Sequence, residues 1–455
     1  MEDLKGYLAQ NKDRYLNELK DLLSIPSVST SAEHEGDVRR AANWVHDQFV
    51  SMGLEAHIHE TERHPVVYAQ WLDAGPDAPT VLVYGHYDVQ PPDPLDLWET
   101  GPFEPTVRDG KIFARGATDD KGQFFAHLKA AEAHMKVRGK LPVNLKFLIE
   151  GEEEIGSPNL APYIKAHKDQ LAADVVVISD TSMFAEGVPA IVYGLRGLTY
   201  FEITVEGPDH DLHSGLYGGA VANPINSLCQ IIAGLKDENG KITIPGFYDE
   251  VRELTDAERE AWKKLPFDEE GFQSSIGAEA LVGEEGFTTL ERRWGRPTLD
   301  CNGIIGGFTG QGAKTVLPSK ATAKFSCRLV PDQEPEVITA RIEAHLKASV
   351  PEGTRLTVTP MHGGQPVIVN TDSPAVQAAR QALSDAFGAE AVFIRGGGSI
   401  PVVADFSNIL GVPTVLMGFG LPDDRLHSPN EKYNLTSFYG GIKAATLFLD
   451  HVANK

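Results

Sequence analysis

The stretch VNLKFLIEGEEEIGS, residues 143–157, joins an apolar strand pattern directly to a dense run of acids. The segment Val143–Ile149 is mostly apolar and reads as an interior strand. It delivers Glu150 and the run Glu152–Glu154 to the end of that strand. Such a run usually forms a solvated acidic turn. Here it directly follows a strand that is predicted to be interior, and this makes a solvated turn a less favoured explanation. We therefore expect these acids to lie at the edge of a buried sheet.

Similar apolar runs recur along the chain and alternate with helical stretches. The predicted elements are strands at Val66–Leu72, Thr80–Tyr84, Val175–Ile178, Val392–Ile394 and Thr414–Gly418, and helices at Asp37–Gly53, Gln123–Arg138 and Pro374–Phe387. Strands that are apolar on both faces and separated by helices favour a mainly parallel sheet covered on both sides. The fold class predicted for this part of the chain is therefore α/β.

The pattern changes after Arg196, which indicates an inserted domain. Leu198–Glu206 alternates between apolar and polar residues, as a half-exposed strand does, and Ala321–Leu329 and Thr354–Thr359 are similar. We predict an inserted α+β domain over residues 197–369. The α/β domain is then discontinuous and covers residues 1–196 and 370–455, a division that suits a chain of 455 residues.

The composition of the chain limits the kinds of molecule that it is expected to bind and the compartment in which it is expected. The chain carries 41 Lys and Arg against 64 Asp and Glu, a formal net charge of -23, which disfavours nucleic acids and anionic membranes. No apolar run approaches the roughly 20 residues of a membrane span, and the first residues do not resemble a signal peptide. The three cysteines are Cys229, Cys301 and Cys327; they are few and widely spaced, which suits a reducing compartment. We expect a cytoplasmic protein.

The first cluster with chemical potential is Gly85–Gln90 (GHYDVQ), which follows a predicted strand. In an extended chain, residues two apart point to the same side, so Asp88 can hold the ring of His86. A carboxylate behind a histidine fixes its tautomer and makes it a better metal ligand. A buried histidine with a hydrogen-bonded partner is the simpler alternative for this motif alone.

Further clusters follow other predicted strands or lie in glycine-flanked loops. Asp119 and Asp120 lie in RGATDDKG, where helix capping is the alternative, and Asp180 follows the run ending at Ile178. His427 lies in HSPNE near the C-terminus, where a single loop histidine would normally carry no function. Together the clusters provide two histidines and several carboxylates, a ligand set for two divalent ions such as Zn²⁺ or Mn²⁺.

Nine strings in consistent order resemble the M20 metallopeptidases, and more narrowly the branch of cytosolic nonspecific dipeptidases and carnosinases. The strings are GHYDVQP, RGATDDKG, EGEEEIGS, ISD, DLHSGLYGG, GAKTVLP, CRLVP, GGGSIPV and HSPNEK. The resemblance covers nearly the whole chain. It implies a zinc-peptidase type of catalytic domain with an inserted lid or dimerisation domain.

The resemblance also implies roles for residues of the α/β domain. His86 and Asp180 would hold one metal ion, Glu154 and His427 the other, and Asp119 would bridge both. The Asp119–Asp120 peptide would be cis. Glu153 matches the general base, and Asp88 matches the residue that orients His86.

The inserted domain would contribute to substrate binding in a homodimer. His213 matches a histidine that reaches the partner subunit's active site and stabilises the oxyanion, and Arg328 matches a carboxylate-binding arginine. His362, Thr315 and Ser399 match further substrate contacts. The sequence departs from the family at Gly396, where the family pattern has a glutamate.

These features predict a two-metal hydrolase that cleaves dipeptides with a free C-terminal carboxylate. An N-acyl amino acid deacylase or carboxypeptidase of the same superfamily is the nearest alternative, because it would use the same water attack and the same arginine. A binuclear phosphoesterase is a less favoured alternative, because its substrate site would require more positively charged residues. A non-catalytic interaction protein on this fold would be expected to lose a ligand or the base, whereas every matched position is filled.

Overall fold

The computed structural model describes residues 2–398 and 400–454. Its chain forms two compact units. The first contains the residues up to Tyr193, Val369–Ile394 and the residues from Pro401 onward, and the second contains Gly194–Ile368 and Arg395–Ile400. The described helices include none with the length and apolar character needed to cross a bilayer.

The strands of the described residues are numbered here in chain order. They are β1 (Glu55–His59), β2 (Val66–Trp71), β3 (Thr80–His86), β4 (Thr106–Arg108), β5 (Lys111–Phe113), β6 (Asn144–Glu150), β7 (Val175–Ile178), β8 (Ala190–Leu195), β9 (Gly197–Glu206), β10 (Leu212–His213), β11 (Thr298–Gly306), β12 (Val316–Leu317), β13 (Lys320–Leu329), β14 (Arg355–Gly364), β15 (Val367–Ile368), β16 (Val392–Gly396), β17 (Thr414–Leu416) and β18 (Lys432–Asn434).

The helices are numbered in the same way. They are α1 (Glu2–Gln10), α2 (Lys12–Leu23), α3 (Glu35–Ser51), α4 (Lys121–Arg138), α5 (Leu160–Ala166), α6 (Lys168–Leu171), α7 (Ser214–Tyr217), α8 (Pro224–Ala233), α9 (Asp256–Lys263), α10 (Glu269–Ser275), α11 (Thr289–Trp294), α12 (Pro335–Ala348), α13 (Pro374–Phe387), α14 (Pro401–Asp405) and α15 (Leu435–Ala453). Short 3₁₀ turns cover Ala32–His34, Leu95–Leu97 and Glu153–Ile155, and a π-helical turn covers Phe406–Leu410.

The first unit is organised around a mixed sheet with the strand order β1-β2-β6-β3-β7-β17-β8. Strands β6, β3, β7 and β17 run parallel to one another. Strands β1 and β2 at one side and β8 at the other are antiparallel. Because β6 and β7 are buried along their whole length, helices must cover the sheet, as in other α/β proteins. The predicted α/β class is confirmed.

Helix boundaries in this unit follow local capping rules, as α13 illustrates. The Ser373 side chain accepts a hydrogen bond from the Val376 amide, and Pro374 takes the first helical position. Gly388 ends the helix in the left-handed conformation, with φ of 75°. Residues of α13 then join those of α2, α3, α4 and α15 in the main hydrophobic core.

The parallel arrangement brings three segments of interest to one edge of the sheet. His86 ends β3 and lies opposite Glu150, which ends β6. Asp180 comes two residues after Ile178, which ends the neighbouring strand β7. Ligands of open α/β sheets bind at the carboxyl ends of such strands, so the fold places these side chains where a site is expected.

The second unit contains an antiparallel sheet with the order β11-β13-β9-β14. Along β9, buried and half-buried residues alternate, so one face of the sheet is interior. Residues of α8 and α12 pack on that face and form a separate core, which includes Phe201, Leu228, Phe325 and Ile342. This unit therefore has its own hydrophobic centre.

We expect Phe147→Ala to lower the free energy of unfolding by about 3–5 kcal/mol, because it leaves a cavity in the core of the first unit. Phe147 is fully buried on β6, and its ring centroid lies 4.7 Å from that of Phe49. Urea unfolding followed by circular dichroism measures the change. Val50→Ala on the same helix as Phe49 is the control, since Val50 is 53% exposed and its loss should cost less than about 0.5 kcal/mol. Equal losses would contradict the assignment of this core.

Candidate metal centre and active site

The first group of potential metal ligands contains His86, Asp119 and Asp180. One ligand atom from each lies within 4.8 Å of the others. His86 Nε2 is 3.2 Å from Asp119 Oδ1 and 3.9 Å from Asp180 Oδ2. This nitrogen is buried and makes no hydrogen bond with the described residues, so it is free to bind a ligand.

A second group contains Asp119, Glu154 and His427. His427 Nε2 lies 2.9 Å from Asp119 Oδ2 and 3.4 Å from Glu154 Oε2. Asp119 thus belongs to both groups, with Oδ1 toward His86 and Oδ2 toward His427. The Asp119–Asp120 peptide is cis, as the family resemblance implied.

The electrostatics of these carboxylates are compatible with bound cations. Burial, with a further contribution from the Asp119 charge, raises the pKa of Glu154 to about 10 and that of Asp180 to about 8. Burial also raises the pKa of Glu153. For Asp119 burial acts in the same direction, but the hydrogen bond with His427 and the nearby imidazole of His86 outweigh it and hold its pKa below the usual range. A buried cluster of acids is costly unless positive charge compensates it.

The donor set fits divalent cations of intermediate softness. Imidazole nitrogens and carboxylate oxygens are the ligands that Zn²⁺ and Mn²⁺ accept in proteins. The orphaned Nε2 of His86 and the raised pKa of Glu154 and Asp180 are both features that a bound cation would relieve. Each of the two groups could therefore hold one divalent ion.

Comparison with known proteins places this arrangement in a family. Residues 82–451 match the family model described as peptidase family M20/M25/M40. The chain belongs to this peptidase family. The predicted family and the prediction of a metallopeptidase are thereby confirmed.

Similar proteins extend over the whole chain. The Cys-Gly metallodipeptidase dug1 of Schizosaccharomyces pombe is 37% identical over 470 residues, covering 100% of this chain and 98% of the relative. The crystal structure of human carnosine dipeptidase 1 matches with a TM-score of 0.86 and 34% identity, over 100% of this chain and 99% of that one. An M20 family metallo-carboxypeptidase from Sulfolobus solfataricus matches with a TM-score of 0.86 and 35% identity, over 97% and 99%.

Asp88 contacts both the His86 ring and the turn that carries Glu153 and Glu154. The His86 Nδ1 atom lies 3.1 Å from the backbone oxygen of Asp88 and 3.4 Å from its Oδ1. The carboxylate of Asp88 also accepts hydrogen bonds from the backbone amides of Glu153, at 3.2 Å, and Glu154, at 3.1 Å. Asp88 therefore holds the glutamate turn as well as lying behind the histidine ring.

The four glutamates that follow Ile149 divide into two kinds. Glu150 accepts hydrogen bonds from Tyr84 and Ser157, at 2.5 and 2.9 Å, and anchors the turn internally. Glu152 is buried and accepts the His64 amide at 2.7 Å.

Glu153 and Glu154 are the half-buried pair on the 3₁₀ turn, and Glu153 belongs to neither group of ligands. The pair is thus supported by neighbouring acids that serve the fold.

Gln90 is a functional neighbour that the sequence reasoning missed. Its Nε2 atom donates to Glu154 Oε2 at 2.8 Å and lies 3.3 Å from the Glu154 backbone oxygen. The signal was available, because Gln90 continues the two-residue alternation of His86 and Asp88. The amide therefore restrains the Glu154 oxygen that lies 3.4 Å from His427 Nε2.

The remaining predicted residues lie in the second unit. His213 is exposed, and its Nδ1 accepts the Gly215 amide at 3.0 Å. Thr315 is its neighbour across the β10–β12 pair, since the Ser214 amide donates to the Thr315 backbone oxygen at 3.0 Å. His362 is exposed on β14 and stacks on Tyr200, with ring centroids 5.1 Å apart.

Arg328 and Ser399 complete the predicted set. Arg328 is half-buried on β13, opposite Leu198 of β9, and burial lowers its pKa. The neighbouring Arg196 has its pKa lowered to about 10, first by burial and then by the Arg328 charge. The two guanidinium groups therefore lie close enough for the Arg328 charge to act on Arg196. Ser399 lies outside the described residues.

Proposed function

We propose that this chain is a two-metal dipeptidase that hydrolyses the peptide bond next to a free C-terminal residue. The observation that carries the proposal is the sharing of Asp119 between two groups of potential ligands, with His86 at one oxygen and His427 at the other. Such a shared carboxylate is what a pair of divalent ions would use as a bridge.

The proposed centre holds two ions, either Zn²⁺ or Mn²⁺. His86 and Asp180 are assigned to one ion, Glu154 and His427 to the other, and Asp119 to both. The nitrogen and oxygen donors and the distances within each group support this assignment. The chemistry that bound divalent ions supply is acidification of water and polarisation of a carbonyl oxygen.

Glu153 is the proposed general base. It shares a 3₁₀ turn with Glu154, but it is not a member of either ligand group, so its carboxylate is available for proton transfer. It would take the proton of the attacking water and later deliver it to the leaving amine. Asp88 would orient this base, because its side chain accepts the Glu153 amide.

Arg328 is proposed to pair with the terminal carboxylate of the substrate, with Thr315, His362 and Ser399 as further substrate contacts. A guanidinium can bind a carboxylate through two charge-assisted hydrogen bonds. Two similar proteins support a short peptide substrate, since one is named a Cys-Gly metallodipeptidase and the other a carnosine dipeptidase. A pocket that requires a terminal carboxylate would favour such peptides.

The second candidate function is that of a carboxypeptidase or an N-acyl amino acid deacylase. The similarity to an M20 family metallo-carboxypeptidase favours it, at 35% identity. Both candidates use the same base and the same carboxylate-binding arginine. They differ in what the site accepts on the amino side of the scissile bond.

We propose a cytoplasmic homodimer in which His213 of the partner subunit stabilises the oxyanion. Strand β11 is an edge strand of the second unit, and Ile304 and Ile305 on it are 54% and 70% exposed. Leu216, three residues from His213, is 76% exposed. Exposed apolar residues on an edge strand suit a protein interface. The free cysteines among the described residues suit a reducing compartment.

Glu153→Gln should lower kcat for dipeptides by about 10²–10⁴-fold while the two metal ions stay bound, because only proton transfer is lost. Initial rates with a dipeptide panel and metal analysis of the purified protein measure both quantities. Glu62→Gln, an exposed glutamate, is the control and should change neither. Substantial activity in the Glu153 variant would refute its role as the base.

Arg328→Ala should reduce kcat/KM for free dipeptides by about 10- to 150-fold, the loss expected for a hydrogen-bonded charge pair. The same variant should hardly affect C-terminally amidated analogues, which lack the carboxylate. Arg355→Ala, an exposed arginine on β14, is the matched control. Equal losses of kcat/KM for the free and the amidated substrates would contradict the proposed contact between Arg328 and the carboxylate. A preference of the wild-type enzyme for N-acetylated substrates would favour the deacylase.

Mixing the His213→Ala chain with the Glu153→Gln chain should restore activity. Under the proposed arrangement, one of the two sites in each heterodimer combines an intact base with an intact partner histidine. Rates are measured after subunit exchange, which differently tagged chains confirm. No recovery after confirmed exchange would exclude a site shared between subunits.

A further inference from the structure

Glu431 lies between the loop that carries His427 and strand β18. It is the residue before Lys432, where β18 begins, and its backbone oxygen accepts the Ala114 amide at 3.2 Å. Its side chain is completely buried. The proposed chemistry gives this acid no part, although it belongs to the motif HSPNE.

The carboxylate of Glu431 is surrounded by four donors from one turn. Its Oε2 accepts from Arg115 Nη1 at 2.7 Å and from the Gly116 amide at 3.0 Å. Its Oε1 accepts from the amides of Thr118, at 3.0 Å, and Asp119, at 3.2 Å. A buried carboxylate with this many partners has one well-defined position.

One of these donors belongs to the shared ligand itself. Because the Asp119 amide is bound by Glu431, the backbone that directs the Asp119 carboxylate is held directly. Close packing supports the same turn, since a Cβ on Gly122 would come within 1.9 Å of the Ala117 oxygen. The position of Asp119 therefore depends on groups that lie behind it.

The loop that precedes Glu431 carries His427, and it needs contacts that hold it in place. His427 is 55% exposed at its side chain and has a φ of 57°. Asn430, next to Glu431, ties the same loop to residues 97–99 through Leu97, at 2.8 Å, and Glu99, at 2.9 Å. The residues that follow His427 thus hold an otherwise exposed ligand in place.

We propose that Glu431 is a positioning residue that fixes the separation of Asp119 and His427, and through it the affinity of the second metal site. It touches neither substrate nor the reacting atoms. Asp119 and His427 come from segments about 300 residues apart, and Glu431, four residues after His427, binds the Asp119 amide through its carboxylate. This inference rests on the proposed two-metal function.

The test compares Glu431→Ala with Glu132→Ala. Glu132 is a second buried acid, 6% exposed at its side chain, which accepts from Lys129 at 2.9 Å and Tyr7 at 3.0 Å and also pairs with Arg14. Both substitutions remove a buried carboxylate from cationic partners, so both should lower the melting temperature. Only the first acid contacts the turn of Asp119.

Titration of the metal-free full-length variants with Mn²⁺ alone provides the readout. Loss of a group that orients a ligand typically weakens metal binding by about 10- to 100-fold. We expect at least one of the two Kd values to rise by that factor in Glu431→Ala, and both to change by less than about threefold in Glu132→Ala. Glu431→Gln should be intermediate, because its remaining oxygen can still accept the Thr118 and Asp119 amides.

Each result decides the matter. Equal rises of Kd in the two alanine variants, or none in Glu431→Ala, would overturn the positioning role. If Glu431→Ala does not fold, Glu431→Gln against Glu132→Gln gives the same comparison, and equal Kd values would again overturn it. A wild-type chain that binds neither Mn²⁺ nor Zn²⁺ would instead overturn the proposed two-metal function, which separates the two failures.

Discussion

The candidate site of the first unit is governed by the burial of several carboxylates at the carboxyl ends of parallel strands in the mixed sheet. Taking like charges out of water is unfavourable, and burial raises the pKa of Glu154 to about 10 and that of Asp180 to about 8. The imidazoles of His86 and His427 compensate Asp119, whose pKa stays low. The remaining acids would be stabilised by further positive charge, so a bound cation would also stabilise these loops.

Buried polar side chains give the surrounding loops their shape. Asp88 holds the turn of Glu153 and Glu154 through two amides, and Gln123 accepts the amides of Phe419 and Gly420 at 2.6 and 3.1 Å. Such bonds are costly to break in a dry interior, because each donor would be left unsatisfied. These hydrogen bonds fix the loops that carry the candidate ligands, which suits a site that must present several atoms to a small ion.

The second unit follows a simpler physical rule. Its β9 strand alternates between buried and half-buried residues, and the interior face packs on α8 and α12. The alternation in Leu198–Glu206 predicted this strand, which the structure extends by one residue to Gly197. The predicted helix Pro374–Phe387 has the same bounds in the structure, because Pro374 and Gly388 mark its ends. Local chemistry decides elements of this kind.

The sequence by itself determined the α/β class and most strand and helix positions, and it predicted the residue types of the candidate metal centre. It could do so because periodicity, capping and the order of motifs are local properties. Only the tertiary structure decided that Asp119 lies between His86 and His427, that Gln90 restrains Glu154, and that the strand order makes the sheet mixed. Those contacts join segments far apart in the chain, and they arise from strand pairing and burial rather than from any short run of residues.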